Sequence, residues 1–190
     1  MGQVGILALQ GAFAKHGEAL DRLGVAWCLV RTADDLAGVD RLIIPGGEST
    51  TMTRLLRTEG WWPQLKAFAE QHPVMGTCAG LIMLAHALAE PDSRVAPLGV
   101  LDVTVDRNAY GRQTESFSAP LQTSAWPEGA PFQGVFIRAP RVTACGPGVA
   151  VVARLGDEPV AVRQGGWLGL AFHPELTGDD RFHRYFLDAC

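Results

Sequence analysis

Apolar, strand-like segments alternate with helical ones through the first half of the sequence, and this alternation limits the fold more than any other feature. The strand-like segments are Val4–Gln10, Ala26–Val30, Arg41–Ile44 and Pro73–Gly76. Helices are expected near Lys15–Leu23, from about Thr50 to Arg57, from about Pro63 to Glu70, and over Ala79–Ala89. Because apolar strands separated by helices are typically buried on both faces, the pattern predicts a parallel sheet with helices on each side.

The second half contains short β-prone segments punctuated by glycine and proline, which indicate antiparallel strands added to that core. These segments are Leu98–Arg107, Gln113–Leu121, Gly134–Ile137, Arg141–Ala144, Ala150–Ala153, Val160–Arg163 and Trp167–Phe172. A closing helix is expected over Asp179–Asp188. With no repeat or linker in the sequence, we predict a single α/β domain over residues 1–190. Its three-layer open mixed sheet would have a parallel core, helices on both faces and antiparallel additions.

Composition and charge exclude several classes of protein. Hydrophobic residues make up 47% of the chain and charged residues 19%, which is typical of a globular protein. The formal net charge is −4 and no basic tract stands out, so no nucleic-acid partner is expected. The N-terminal segment lacks signal-peptide features, and polar residues interrupt every apolar run before it reaches membrane-spanning length. We therefore expect a cytoplasmic location and no membrane contact.

Three of the four cysteines have no evident chemical role: Cys28, Cys145 and Cys190. The sequence contains no C-x-x-C pair and no histidine cluster at zinc-binding spacing. We therefore expect neither a metal site nor a bound cofactor, and we interpret these three residues as buried or incidental.

Cys78 differs because it stands at the centre of a G-x-C-x-G segment between a predicted strand and a predicted helix. This segment is the cysteine counterpart of the nucleophile elbow, a tight turn that raises the nucleophile above the sheet. Gly76 and Gly80 would let the strand and helix approach closely, and the N–H of Ala79 could help to stabilise an oxyanion. The pattern predicts a nucleophile at Cys78. A buried cysteine at a packed turn is the alternative.

His173 is the histidine best placed to serve as the base. It follows the apolar strand Trp167–Phe172, and sites in open sheets form at the carboxyl ends of strands. Glu175 could accept a hydrogen bond from the imidazole and fix its tautomer, as the third member of a catalytic triad does. A surface His-Pro-Glu turn is the alternative. The other histidines are expected to have packing or surface positions: His16, His72, His86 and His183. For His16, which begins a helix beside a possible site loop, a local role is the alternative.

The loop Pro45–Thr51 follows the third predicted strand and contains two successive glycines, so we call it the double-glycine loop. Gly46 and Gly47 would allow a peptide N–H to face a bound oxyanion. Glu48 could receive a substrate ammonium group. The loop does not match the phosphate-binding G-x-x-x-x-G-K-[ST] pattern, so a nucleotide site is not supported. A plain turn is the alternative.

Together these segments resemble class I glutamine amidotransferases and, more narrowly, the glutaminase subunits of pyridoxal 5′-phosphate synthase. Many amidases share a cysteine elbow, but the R-N-x-[FY]-G-R-Q and G-G-E-S-T-T strings are far more specific. The matching segments run in family order: Leu7–Ala12 with His16, Pro45–Thr51, Gly76–Gly80, Arg107–Gln113 with Ser116 and Phe117, Phe136–Pro140, and His173–Thr177.

The resemblance implies a flavodoxin-like amidotransferase fold and hydrolysis of L-glutamine to glutamate and ammonia by a Cys-His-Glu triad. The implied glutamine site uses these residues: Gly47, Glu48, Ser49, Arg107, Ile137 and Arg138. It also implies that ammonia passes to a barrel-shaped synthase subunit, which makes pyridoxal 5′-phosphate. In such a complex the oxyanion hole at Gly46 and Gly47 is incomplete until the partner docks, and Gln10–His16 would face that partner.

Other readings of the same residues stay open on the sequence alone. One is the glutaminase of another synthase, such as the imidazole glycerol phosphate or anthranilate systems. A second is a cysteine hydrolase of peptides or esters. A third is a partner-binding regulator without activity, which the presence of all three triad residues disfavours.

Overall fold

The computed structural model describes residues 2–107, 116–126 and 128–190. Its strands are β1 (Val4–Leu7), β2 (Trp27–Val30), β3 (Arg41–Ile44), β4 (Val74–Thr77), β5 (Ala85–Leu88), β6 (Leu101–Asp106), β7 (Phe117–Thr123), β8 (Phe132–Phe136), β9 (Arg141–Cys145), β10 (Ala150–Leu155), β11 (Glu158–Gln164) and β12 (Trp167–Leu170). Its helices are α1 (Phe13–Arg22), α2 (Ser49–Thr58), α3 (Trp62–Gln71), α4 (Ala79–Leu84) and α5 (Arg181–Ala189). Short 3₁₀ helices span Asp34–Gly38 and Pro174–Leu176.

One long sheet joins the two halves of the chain in the strand order β2-β1-β3-β4-β12-β11-β10-β7-β8. The pairs from β2 to β12 are parallel, whereas those from β12 to β8 are antiparallel. Helices flank the parallel part, where α1 contacts β1 and α4 contacts β4 and β12. The predicted parallel core with antiparallel additions is thereby confirmed.

The centre of the sheet is fully buried because its strands carry apolar residues on both faces. Every residue of β1 and β4 is buried, as expected for strands covered on two sides. The strand β12 lies between β4 and β11, and Leu170 is opposite Thr77 in the parallel pair. Since paired parallel strands end at the same edge, the residues that follow β4 and β12 lie side by side.

The predicted helix over Ala79–Ala89 is wrong in its second half. Helix α4 ends at Leu84, and the chain continues as β5, which pairs in parallel with β6. These two strands and β9 form a separate three-stranded sheet. A uniformly apolar run has no helical period that could mark where a helix stops, and the backbone groups of β5 are satisfied by distant residues.

The predicted strand Gln113–Leu121 begins outside the described residues, and its part from Phe117 onward lies in β7. Most of the R-N-x-[FY]-G-R-Q string also lies outside them, and Arg107 alone of that string is described. No helix in the described ranges is both long enough and apolar enough to cross a membrane.

Candidate active site

Cys78 lies in a strained turn between β4 and α4, as the elbow pattern predicts. Its backbone has φ +51° and ψ −105°, which is unfavourable for a residue with a side chain. The Cys78 N–H donates to the carbonyl of Leu170 on β12 at 2.8 Å. This bond ties the turn to the neighbouring strand and so helps to hold the strained conformation.

The two glycines of the elbow are required by close backbone contacts. A Cβ on Gly76 would lie 2.4 Å from the carbonyl oxygen of Gly80. A Cβ on Gly80 would lie 2.1 Å from the carbonyl oxygen of Ile44. The strand-to-helix turn therefore closes only because both positions lack a side chain.

His173 and Glu175 lie beside this turn because β12 ends next to β4. His173 Nδ1 is 2.7 Å from Glu175 Oε1. Both side chains are buried, and Glu175 is only 3% exposed. The 3₁₀ helix Pro174–Leu176 turns the carboxylate back toward the imidazole. The structure therefore brings the predicted base and its orienter together.

The charges of these groups depend on one another. Burial alone would lower the pKa of His173, but contacts with Cys78 and Glu175 outweigh it and raise the pKa to about 10. Burial would raise the pKa of Glu175, whereas the hydrogen bond from His173 and the proximity of His16 bring it below its ordinary value. An imidazolium with an ionised carboxylate behind it is therefore the stable state at neutral pH.

The double-glycine loop lies against the triad. A Cβ on Gly46 would lie 2.3 Å from His173 Cε1 and 3.3 Å from Cys78 Cβ. Gly47 has φ +153° and is exposed. On the other side of Cys78, Ala79 is the first residue of α4. Of the three residues predicted for the oxyanion hole, Gly46 and Ala79 thus lie next to Cys78, and Gly47 follows Gly46 in the same loop.

The segment after β1, which contains Gln10 and Gly11, contacts the double-glycine loop. Gln10 Nε2 donates to the Glu48 carbonyl at 2.8 Å. Gly11 has φ +89°, and a Cβ there would lie 1.8 Å from the Gly46 carbonyl oxygen. The segment after β1 therefore controls the backbone of Gly46 and Glu48.

The residues predicted to bind the substrate are only partly assembled. Arg107 Nη2 lies 3.7 Å from Glu48 Oε1, and Arg107 Nη1 is 2.6 Å from Asp92 Oδ2. The Ile137 carbonyl oxygen is 3.7 Å from Cys78 Sγ, and Arg138 has φ +45°. Glu48 therefore lies near Arg107, and Ile137 lies beside Cys78.

Arg107 belongs to a cleft of about 380 Å³ whose lining is mostly charged. Arg94 and Arg107 hydrogen-bond Asp92 and hold the pKa of that carboxyl well below its usual range. Ser49 is buried at the first position of α2 and does not line this cleft.

Sequence reasoning did not assign four residues to this site: Gln10, His16, Asp92 and His183. His16 is fully buried, so the expectation that the whole Gln10–His16 segment faces a partner is wrong for that residue. The position of Gln10 after β1 was a usable signal, because polar residues after parallel strands lie at the site edge. Asp92 follows no such rule, and nothing in the local sequence indicates its contact with Arg107.

Residues 6–190 match the sequence model of the SNO glutamine amidotransferase family. Among curated proteins, the "Pyridoxal 5'-phosphate synthase subunit PdxT" of Deinococcus radiodurans is 51% identical over 188 residues, covering 97% of this chain and 95% of the relative. The protein of the same name from Thermus thermophilus is 52% identical over 190 residues, covering 98% and 97%.

Two solved structures are also similar to this chain. One described as "Crystal structure of glutamine amidotransferase" superposes with a TM-score of 0.89 at 49% identity, over 97% of both chains. The "Structure of PurLQS from Thermotoga maritima" superposes with a TM-score of 0.66 at 16% identity, over 98% of both chains. The second similarity is one of fold alone.

Proposed function

The chain belongs to the SNO glutamine amidotransferase family, and from this we propose that it hydrolyses L-glutamine and supplies the ammonia to a pyridoxal 5′-phosphate synthase subunit. The observation that carries the proposal is the contact between His173 and Glu175 beside the strained Cys78. The curated relatives are named as subunits of that synthase. Their coverage of nearly the whole chain supports the same role here.

Cys78 acts as the nucleophile in the proposed mechanism. A protonated His173 beside its sulfur favours the thiolate, which attacks the side-chain amide carbon of glutamine. His173 then gives its proton to the departing nitrogen, and ammonia leaves. Water attacks the resulting thioester after giving a proton to His173, and glutamate is released. Glu175 holds the imidazole orientation through both steps.

The oxyanion formed at each step needs N–H donors beside Cys78. Ala79 and the double-glycine loop are the backbone elements next to Cys78 that can supply them. In this proposal the Gly46–Gly47 peptide turns its N–H toward the oxyanion when the synthase subunit docks. The contact of Gly11 with the Gly46 carbonyl supports this step, because the peptide orientation depends on the segment after β1.

The charges near the site fit an amino acid substrate. Glu48 would receive the α-ammonium group and Arg107 the α-carboxylate of glutamine. The Glu48 side chain is largely exposed and its distance to Arg107 is long for an ion pair. Glu48 and Arg107 therefore do not form a close ion pair with each other before substrate binds. Ser49, Ile137 and Arg138 complete the proposed binding set through the backbone around the site.

The test is ammonia release from glutamine by the purified chain alone and with a purified pyridoxal 5′-phosphate synthase subunit. We expect low release from the chain alone and a sharp rise on mixing. Cys78→Ala should abolish the rise, whereas Cys145→Ala, which alters an exposed cysteine away from the site, should leave it unchanged. Retained turnover in Cys78→Ala would refute the nucleophile assignment. Ester hydrolysis without glutamine hydrolysis would indicate a different cysteine hydrolase.

A further inference from the structure

Two histidines that take no part in the proposed mechanism lie directly behind the triad. His16 comes from the first turns of α1 and His183 from α5, and both are fully buried. His16 Nδ1 is 2.9 Å from His183 Nε2. Buried polar side chains are normally satisfied by partners with a defined hydrogen-bond direction, so the pattern of protons in this pair can be worked out.

The second nitrogen of His16 faces the site. His16 Nε2 is 3.5 Å from Glu175 Oε2 and 3.4 Å from Thr77 Oγ1. Glu175 orients the proposed base, and Thr77 immediately precedes Cys78. His16 Nε2 therefore lies near both the orienter of the proposed base and the residue that precedes the proposed nucleophile.

Both imidazoles are neutral at physiological pH. Burial lowers the pKa of His16 to about 4, although the nearby Glu175 carboxylate opposes the shift. Burial and the neighbouring His16 lower the pKa of His183 to about 3. A neutral imidazole has one N–H and one bare nitrogen, so the pair has two arrangements in which one ring donates to the other.

The surroundings distinguish the two arrangements. If His16 donated from Nδ1, its bare Nε2 would face the Glu175 carboxylate, and two lone pairs would repel in a buried region of low dielectric constant. His183 would then carry its proton on Nδ1, which has no hydrogen-bond partner among the described residues. A buried N–H without an acceptor is rare and costly.

The opposite arrangement avoids both penalties. The N–H at Nε2 of His183 donates to His16 Nδ1, and the N–H at Nε2 of His16 points between Glu175 Oε2 and Thr77 Oγ1. The only bare nitrogen without a partner is then His183 Nδ1. Within the described residues, Oε2 of Glu175 has no hydrogen-bond partner at ordinary distance, so His16 is the donor placed to serve it.

We propose that His16 is a positioning residue for glutamine hydrolysis, with its Nε2–H holding the second carboxylate oxygen of Glu175 so that the first stays on His173. His183 fixes the tautomer of His16 in this arrangement. The catalytic consequence rests on the proposed function. The distance of 3.5 Å leaves room for the contact to tighten when substrate binds.

The tautomers can be measured without any activity assay. Ring ¹⁵N chemical shifts of the intact native chain at neutral pH should show both His16 and His183 protonated at Nε2 and bare at Nδ1. A proton on His16 Nδ1 would overturn the proposal even if the chain proves to be a glutaminase. The expected tautomers combined with no glutaminase activity would instead refute the proposed function.

Kinetics of variants test the consequence for the reaction. His16→Leu removes the donor, and we expect kcat to fall about ten-fold or more while KM for glutamine changes little. His16→Gln can place an amide N–H near the position of Nε2, and it should recover most of the loss. Equal losses in both variants, with melting temperatures matching the native chain, would contradict the positioning role.

The pH profile supplies a readout that a purely structural role would not change. The titratable groups facing Glu175 are His173 from the end of β12 and His16 from α1, with His183 of α5 behind them. In the proposed arrangement the Nε2–H of His16 donates to the ionised Glu175 and favours that form, so without it the acid limb of kcat/KM should move to higher pH in His16→Leu. An unchanged limb would contradict the proposal.

A double-mutant cycle tests the part assigned to His183. If His183 acts only through His16, His183→Leu should reduce kcat in the native background and have no further effect in His16→Leu. Multiplying losses would mean that His183 acts independently and would overturn that part. If His16→Leu fails to fold, the ¹⁵N shifts of the native chain still decide the proposal.

Discussion

The Cα of Gly46 lies against the imidazole of His173, so closely that a methyl group at Gly46 would be 2.3 Å from Cε1. The proposed oxyanion loop and the proposed base therefore occupy neighbouring space with no room for a side chain. A glycine at this position serves the placement of His173 as well as the freedom of the loop.

Gly46→Ala should reduce glutamine turnover about 100-fold, because a displacement of roughly 1 Å at reacting groups has an effect of that size. Either His173 or the loop must move to accommodate the methyl group. The measurement is kcat for ammonia release in the presence of the synthase subunit, together with the melting temperature.

Gly38→Ala is the matched control, because a Cβ there meets no atom within 4 Å and its backbone has no positive φ. It should leave kcat unchanged. Native turnover in Gly46→Ala would mean that the contact with His173 relaxes without consequence for the reaction.

The strained backbone of Cys78 predicts an unusual order of stabilities. A residue with a side chain in such a conformation costs about 1–3 kcal/mol, whereas glycine avoids that strain. Glycine elsewhere lowers stability relative to alanine by about 0.5–1 kcal/mol. We therefore expect Cys78→Gly to be at least as stable as Cys78→Ala in urea unfolding, although both are inactive. A clearly less stable glycine variant would show that the turn is not strained.

Arg107 and Arg94 share the partner Asp92, which allows substrate binding to be separated from local structure. Arg107→Gln should raise KM for glutamine about ten-fold or more, since hydrogen bonds to charged groups contribute about 1.5–3 kcal/mol. Arg94→Gln breaks an ion pair with the same carboxylate but leaves Arg107 in place, so KM should change little. Equal KM values for the two variants would contradict carboxylate binding by Arg107.

Stability should depend on pH in opposite directions on the two sides of neutrality. The pKa values of His16 and His183 fall from 6.5 to about 4 and about 3 on folding, so the unfolded chain binds more protons below pH 6.5. The free energy of unfolding should therefore decrease as pH falls from about 6.5 toward 4. The pKa of His173 rises to about 10, so its contribution is complete below about 6.5 and is lost as pH rises to 10.

Urea unfolding across pH 4–10 measures both limbs. His183→Gln should flatten the acid limb and leave the alkaline one, whereas His173→Gln should flatten the alkaline limb. An acid limb of unchanged slope in His183→Gln would show that the buried histidine pair does not titrate as described.

The parts of the fold that follow from local sequence were predictable. The parallel core was readable because β1, β3 and β4 are continuous apolar runs bounded by turns. The assembly of Cys78 with His173 was also predictable, because both follow strands of the parallel core and strand ends share one edge.

What the sequence did not reveal depends on contacts between distant segments. The strand β5 exists because β6 pairs with its backbone, and no local period distinguishes it from the helix before it. The contact of Asp92 with Arg107 and that of His16 with His183 likewise join residues far apart in the chain. A histidine in a predicted helix has the same local pattern whether it is exposed, as His86 is in β5, or buried, as His16 is in α1.

The central position of β12 has a consequence for how the chain becomes active during its own synthesis. β12 is made after every other strand, yet it lies between β4 and β11 in the middle of the long sheet. A ribosome-bound chain that has reached β11 holds Cys78 but lacks its base, its orienter and the Leu170 carbonyl that anchors the elbow. On the proposed mechanism, ammonia release therefore begins only after the last strand has inserted into the sheet. An unfinished chain therefore cannot release ammonia that no synthase subunit is yet docked to receive.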